Sequence, residues 1–181
     1  MTFIAQLATN RFDPLVDEGS RFPNKPGVYL ICLRDGADPP PNRGKVTFTN
    51  YERLRVLYTG IAGTEGTKRA SLQARAYRNH FGGNAGRSTV RKSIGVLFGY
   101  EQIPRDKDPT TGKTKFSESD ESALSNWMRT SLVVFFTQQS RPWESEDALI
   151  ARFNPPLNLD RNANPVNTEF RASLSALRRR K

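Results

Sequence analysis

The chain has 181 residues, with 28 Lys+Arg against 18 Asp+Glu and a net charge of +10. Apolar residues make up 36% and aromatics 10%, which suits one folded domain with its own core and excludes generic disorder. One cysteine, Cys32, and one histidine, His80, exclude an internal disulfide, a cysteine-based zinc cluster and a multi-histidine site.

Residues 1–24 read as an N-terminal arm. The segment 28–33 (VYLICL) is β-rich, follows a Pro-Gly turn signal and is expected to be a strand. Residues 38–42 hold three prolines, which lack the donors for helix or sheet, and read as a loop. The segment 55–59 (RVLYT) is a second expected strand, ended by Gly60 and antiparallel to the first. Residues 71–81 read as a helix stopped by Gly82-Gly83, with Ala74, Tyr77 and Phe81 on one face. A helix over 89–98 follows, with Val90, Ile94 and Leu97 on one side. Residues 105–114 read as a loop. Its Gly112-Lys113-Thr114 resembles the end of a phosphate loop, but Lys107 stands where that motif needs glycine. A helix over 119–129 carries acids in its first turn, where the helix dipole favours them. The segment 132–137 (LVVFFT) is apolar on both faces and is expected as a central strand. A helix over 145–153 ends at Pro155-Pro156, and a short helix over 170–179 closes the chain. The expected fold is a small α/β (α+β) domain over 25–160, followed by a basic tail over 161–181.

The positive charge points to a polyanion. Residues 66–100 hold Lys68, Arg69, Arg75, Arg78, Arg87, Arg91 and Lys92 and no acid, the footprint of phosphate binding, whereas a solvated helix face would read the same way. Residues 1–10 lack a secretory signal, and the longest apolar run, residues 132–136, is far short of the about 20 residues that span a bilayer. The expectation is a cytoplasmic protein that binds nucleic acid and no membrane.

Glu146 heads an apolar stripe of Leu149, Ile150 and Phe153, where a carboxylate needs a cation or donors; a first-turn acid favoured by the dipole is the alternative. Tyr29 opens the first strand and Tyr58 lies near the end of the second, so two phenols can share a site. Arg75 offers bidentate phosphate binding, and His80 a base or proton shuttle. Trp127, Trp143 and Cys32 read as core.

Gly27-Val28-Tyr29 and Tyr58-Thr59-Gly60 resemble the two tripeptides of the GIY-YIG nuclease superfamily. An Arg-bearing helix follows in order, and residues 146–158 (EDALIARFNPPLN) resemble its terminal Glu…Pro…Asn block. The stretches RNHFGGN, STVRKSIG and LNLDRNANP look like compact stand-alone bacterial members. The resemblance implies a three-stranded antiparallel sheet flanked by helices and DNA phosphodiester hydrolysis with one divalent metal, Mg²⁺ or Mn²⁺. It implies Glu146 as metal ligand, a role that suits Mg²⁺ because that ion keeps most of its waters. Arg75 would clamp the scissile phosphate, Tyr29 would orient or deprotonate the attacking water, and Tyr58 would bind phosphate or water. Asn158 would support Tyr29 or the metal shell. Lys68, Arg69, Arg78, Arg87, Arg91 and Lys92 would contact DNA.

The chain departs from the family pattern in two places. The family often has Tyr or His four residues after its Arg; here Asn79 stands there and His80 is five after, about 100° further round an α-helix. Either the helix carries a bulge, or Arg78 is the aligned arginine, or His80 has another role. Ile61 stands where some members have Lys, so Lys68 or Arg69 would reach the phosphates instead. A phenol titrates near pH 10, so Tyr29 as a base needs help from metal or His80. Restriction-like defence or DNA repair, as monomer or homodimer, fits the resemblance. A non-catalytic nucleic-acid-binding module, or a basic RNA-bound structural protein, is the alternative.

Overall fold

A computed structural model describes residues 3–41, 45–63 and 70–179. Its elements are α1 (Phe3–Leu7), β1 (Arg11–Phe12), β2 (Gly27–Leu33), β3 (Asn50–Tyr51), β4 (Leu54–Ala62), a π-helix (Gln73–Asn79), α2 (Thr89–Leu97), β5 (Ile103–Pro104), β6 (Thr114–Lys115), α3 (Glu118–Ser131), β7 (Leu132–Gln138), α4 (Glu146–Phe153) and α5 (Thr168–Arg179). Lys68 and Arg69 lie outside the described residues.

One antiparallel sheet organises the fold, in the order β1-β7-β2-β4-β3. It has five strands where three are expected, because the two-residue strands β1 and β3 extend its edges. The central strand is β2, buried along its whole length, and β7 lies beside it. An apolar run such as 132–137 shows that both faces of a strand are covered, not which strand is in the middle. β5 and β6 form a separate two-stranded ribbon that brackets the segment 105–114 expected as a loop.

Helices cover both sheet faces. On one side Tyr29, Ile31, Leu33, Val134 and Phe136 pack with Ala76 of the π-helix, Val90 and Ile94 of α2, Leu124 and Met128 of α3, and Phe170 and Leu174 of α5. On the other, Val28, Leu30, Cys32, Val133 and Phe135 pack with Leu7 of α1 and Leu149 and Phe153 of α4. Phe12 and Phe22 join the first of these cores, so residues 3–24 contribute to the packed body. Trp127 packs at the core's margin, whereas Trp143 is half-buried under Arg141, whose guanidinium carbon is 6.0 Å from its ring centroid.

Residues beyond 160 are tied down as well. Asn154 adopts the left-handed conformation that ends α4, φ 39° and ψ 54°, a role asparagine fills when glycine is absent. The buried Arg171 of α5 donates to its side-chain oxygen at 3.1 Å and to the Val166 carbonyl at 2.9 Å. Asn167 pairs with both backbone groups of Thr47, each at 2.8 Å.

Arg91, expected at a nucleic-acid surface, is fully buried. Its guanidinium donates to Glu121 Oε2 at 3.1 and 2.7 Å, to the Glu121 carbonyl at 2.9 Å, to Ser125 Oγ at 3.0 Å and to the His80 carbonyl at 3.1 Å. It joins α2 to α3 from within and takes no part in a surface. The apolar positions that mark the buried face of α2 do not reveal that a charged residue can share it when an acid waits on the next helix. Removing one partner of such a pair leaves a buried charge exposed to no water. Glu121→Ala is therefore expected to lower stability by about 3–5 kcal/mol, and Glu121→Gln by less, in chemical denaturation. A loss below about 1 kcal/mol for the alanine variant would show that Arg91 is compensated otherwise.

Candidate active site

The site is built on the register of β2 with β4. Tyr29 lies opposite Gly60 and Ile31 opposite Tyr58, so the two phenols are diagonal neighbours on one face, with ring centroids 6.3 Å apart. A side chain at position 60 has no room: its Cβ would stand 2.4 Å from the Tyr29 hydroxyl oxygen. At position 27 it would stand 2.2 Å from the Thr137 carbonyl. Gly60 therefore continues β4, and its lack of a side chain admits the Tyr29 phenol.

The π-helix supplies the next two residues. Its hydrogen bonding widens from the usual four-residue step to five, as in the bond from Gly82 N–H to the Tyr77 carbonyl at 3.3 Å. Residues five apart then meet on one side. Arg75 stands beside Tyr29 and Tyr58, close enough for both phenols to act on its charge, and His80 Nε2 is 2.8 Å from the Tyr29 hydroxyl. The His80 ring lies 5.6 Å from that of Tyr29 and 6.1 Å from that of Tyr58, closing a triangle of three rings. Arg78 is exposed, donates to Gln73 Oε1 at 3.0 Å and is not the arginine at the tyrosines.

Ser88, the N-cap of α2, holds the far side of the imidazole. Its buried hydroxyl accepts from Arg91 N–H at 3.1 Å and lies 2.7 Å from His80 Nδ1. Ser88 thus bonds one ring nitrogen and Tyr29 the other, and the tautomer of the neutral ring sets which group donates in each pair. Burial, followed by the cations Arg75 and Arg91, pushes the His80 pKa down to about 3, so the ring is neutral across the physiological range. Burial also raises the Tyr29 pKa well above its usual value of 10, with Tyr58 and Glu146 adding to the rise and Arg75 opposing it. Tyr29 is fully buried, and at neutral pH it is a phenol.

Asn158 is buried beside β4, where its Oδ1 accepts from Thr59 N–H at 3.0 Å and its Nδ2 donates to the Thr59 carbonyl at 2.9 Å. It clamps the backbone between Tyr58 and Gly60 rather than bonding Tyr29. Glu146 opens α4, close enough to Tyr29 for its charge to act on the phenol. Its side chain is 24% exposed, and Arg161 Nη1 lies 3.3 Å from it and 3.2 Å from Asp147. Half-shielded and already holding a cation, this carboxylate fits a hard ion that takes one protein oxygen and keeps its waters. Among the described residues no cluster of three or more His, Cys, Asp or Glu exists for a caged metal. Arg87 is exposed and Lys92 half-buried, both apart from any ion pair among the described residues.

The family model described as the GIY-YIG catalytic domain matches residues 27–180. The chain belongs to the GIY-YIG family. Comparison with curated proteins and with solved structures returned no match. The GIY-YIG domain is that of a nuclease and implies a DNA substrate. No helix among the described residues is long and apolar enough to cross a membrane.

Ser88, Thr59 and Arg161 lie in the stretches that carry the resemblance, but their roles escape a reading of the sequence. Ser88 carries only the signal of an N-cap before a helix, and nothing in the spacing of Arg161 marks it. The depressed His80 pKa has a measurable consequence. The unfolded chain takes up a proton near pH 6.5 and the folded one near 3, so stability falls as pH drops between those values. The His80 ring is expected to show no titration by NMR from pH 5 to 8. His80→Gln is expected to flatten the slope of stability against pH between about 4 and 6. An imidazole that titrates near 6.5 in the folded protein would contradict the buried, neutral assignment.

Proposed function

We propose that this chain is a DNA endonuclease that hydrolyses phosphodiester bonds with one divalent cation, Mg²⁺ or Mn²⁺, held by Glu146. The observation that supports the reading most is the convergence of Arg75, His80 and Tyr58 on the buried Tyr29 hydroxyl, with the Glu146 carboxylate beside it. A divalent cation on Glu146 would supply Lewis acidity at the scissile phosphate and charge to stabilise the leaving oxygen.

The chain's own groups divide the remaining work. Arg75, beside the two phenols, presents donors to the scissile phosphate and stabilises the charge that grows on its oxygens. With the ring proton on Nε2, the Tyr29 oxygen accepts from His80 beside the Arg75 cation, leaving its own proton to orient the attacking water or a phosphate oxygen. The same two groups stabilise negative charge on that oxygen when Tyr29 takes part in proton removal, against the burial that opposes it. In that tautomer neutral His80 serves as a fixed donor, with Ser88 bonded to its other nitrogen. Tyr58 shares Arg75 and reaches the same phosphate, while Asn158 fixes the backbone that carries Tyr58. Arg161 is the counter-cation that yields Glu146 to the metal. Arg87 and Lys92 extend the contact to the DNA backbone. Restriction-like defence and DNA repair both use such chemistry.

A plasmid-nicking assay with Mg²⁺ and with Mn²⁺ tests the reading. Glu146→Ala is expected to lose about 10²–10³-fold in rate while DNA binding stays within about twofold of wild type. Undiminished cleavage by that variant would overturn the assignment. Salt-sensitive DNA binding with no product from wild type under either metal would instead assign a non-catalytic nucleic-acid-binding module.

A further inference from the structure

The connection from β7 to α4, residues 139–145, is closed at its base by its own first and last residues. Gln139 follows the end of the ladder, where Gln138 lies opposite Gly27, and its N–H donates to the Pro26 carbonyl at 3.1 Å. Its side-chain Nε2 donates to Ser145 Oγ at 2.6 Å. Pro26 precedes the strand of Tyr29, and Ser145 precedes Glu146. One residue therefore holds the start of β2 with its backbone and the start of α4 with its side chain.

Two features set this contact apart. Ser145 is buried and stands at the N-cap of α4, yet its hydroxyl caps no N–H of that helix. With φ −105° and ψ −9° it lies outside the extended conformation usual for a capping serine, and its hydroxyl is used on Gln139 instead. Gln139 Oε1, in turn, is buried and has no partner among the described residues. A buried amide oxygen left unbonded is a standing cost, which methionine at this position would not incur. The amide is favourable here only through what its donor half holds.

What it holds is the first turn of α4. That helix lies on the sheet through Leu149 and Phe153. Apolar contact is non-directional and leaves a short helix free to slide or roll. A directional bond to the residue before Glu146 fixes the end that carries the carboxylate. Ser145 N–H donates to the Pro142 carbonyl at 3.1 Å, and its carbonyl accepts from Leu149 N–H at 3.0 Å, so a shift of Ser145 carries the turn with it.

We propose that Gln139 is a positioning residue for the cleavage reaction: through Ser145 it sets where Glu146 presents its carboxylate to a divalent cation, relative to the strand of Tyr29. The inference rests on the nuclease reading and deepens it.

The test uses the full chain, Mn²⁺ and plasmid DNA. Gln139→Met, Ser145→Ala and the double variant are compared with wild type. Mn²⁺ binding is read from the EPR signal of the free ion, beside metal-free DNA binding, kcat and KM for nicking, and melting temperature. Each single variant is expected to lose about tenfold in Mn²⁺ affinity and in kcat, with KM and DNA binding within about twofold of wild type. The double variant is expected to lose no more than either single one, because both changes break one contact. Its melting temperature is expected at or above that of wild type, since both bonded partners and the unpaired oxygen are removed together. Unchanged Mn²⁺ affinity and kcat in the variants, with wild type cleaving, would overturn the positioning role and leave the nuclease reading standing. Losses that add in the double variant, or that vanish as its melting temperature recovers, would mark a merely structural tie and overturn it as well. Wild type that binds Mn²⁺ and cuts nothing, with affinity lowered in all three variants, would uphold the positioning role while the nuclease reading fails. Wild type that neither binds Mn²⁺ nor cuts would overturn both.

Discussion

A tyrosine buried as deeply as Tyr29 must find hydrogen-bond partners for its hydroxyl inside the protein, and the site is arranged around that requirement. Gly60 makes room for the ring. The π-helix turns both Arg75 and His80 toward the oxygen. Ser88 holds the far nitrogen of the imidazole, and Asn158 holds the strand on which Gly60 sits. Each of these devices is local, yet none makes sense without the phenol they share. The widened helical turn illustrates this well. Such turns are rare, and here it is what lets residues five apart face one partner.

The protein's positive charge is divided between two uses. Arg91 and Arg171 lie inside, each surrounded by oxygen acceptors, and fasten helices to one another and to loops. Lys92, Arg178 and Arg87 form no ion pair among the described residues. A net charge read from composition merges these populations. The first stabilises the fold whatever the salt concentration, because buried pairs are little screened. The second has no such partner, and charges of that kind are the ones salt screens.

Much of this architecture is legible in the chain. The three long strands and the helices over 89–98, 119–129 and 145–153 follow from period, caps and breakers, and their boundaries fall within a few residues. The ordered tripeptides and the Glu146 block point to the GIY-YIG family. What stays hidden depends on tertiary partners. The edge strands β1 and β3 are two residues long and take their character from the strands they meet. The inward turn of Arg91 depends on Glu121, 30 residues away. The spacing of Arg75 and His80 reads as a mismatch until the helix type is known, because the backbone and not the sequence pattern supplies the missing rotation. Arg178 reads as part of a basic tail over 161–181 until α5 is seen packed on the core through Phe170 and Leu174.

The bond that clamps Thr59 reaches across 99 positions to Asn158, and Tyr29 meets His80 across 51. Such separations place the assembly of the site late in folding, after long loops have closed. A ribosome releases the tyrosines first, then Arg75 and His80, then Glu146, and Asn158 and α5 last. A growing chain thus holds the pieces of the site without the geometry that joins them until Asn158 has emerged.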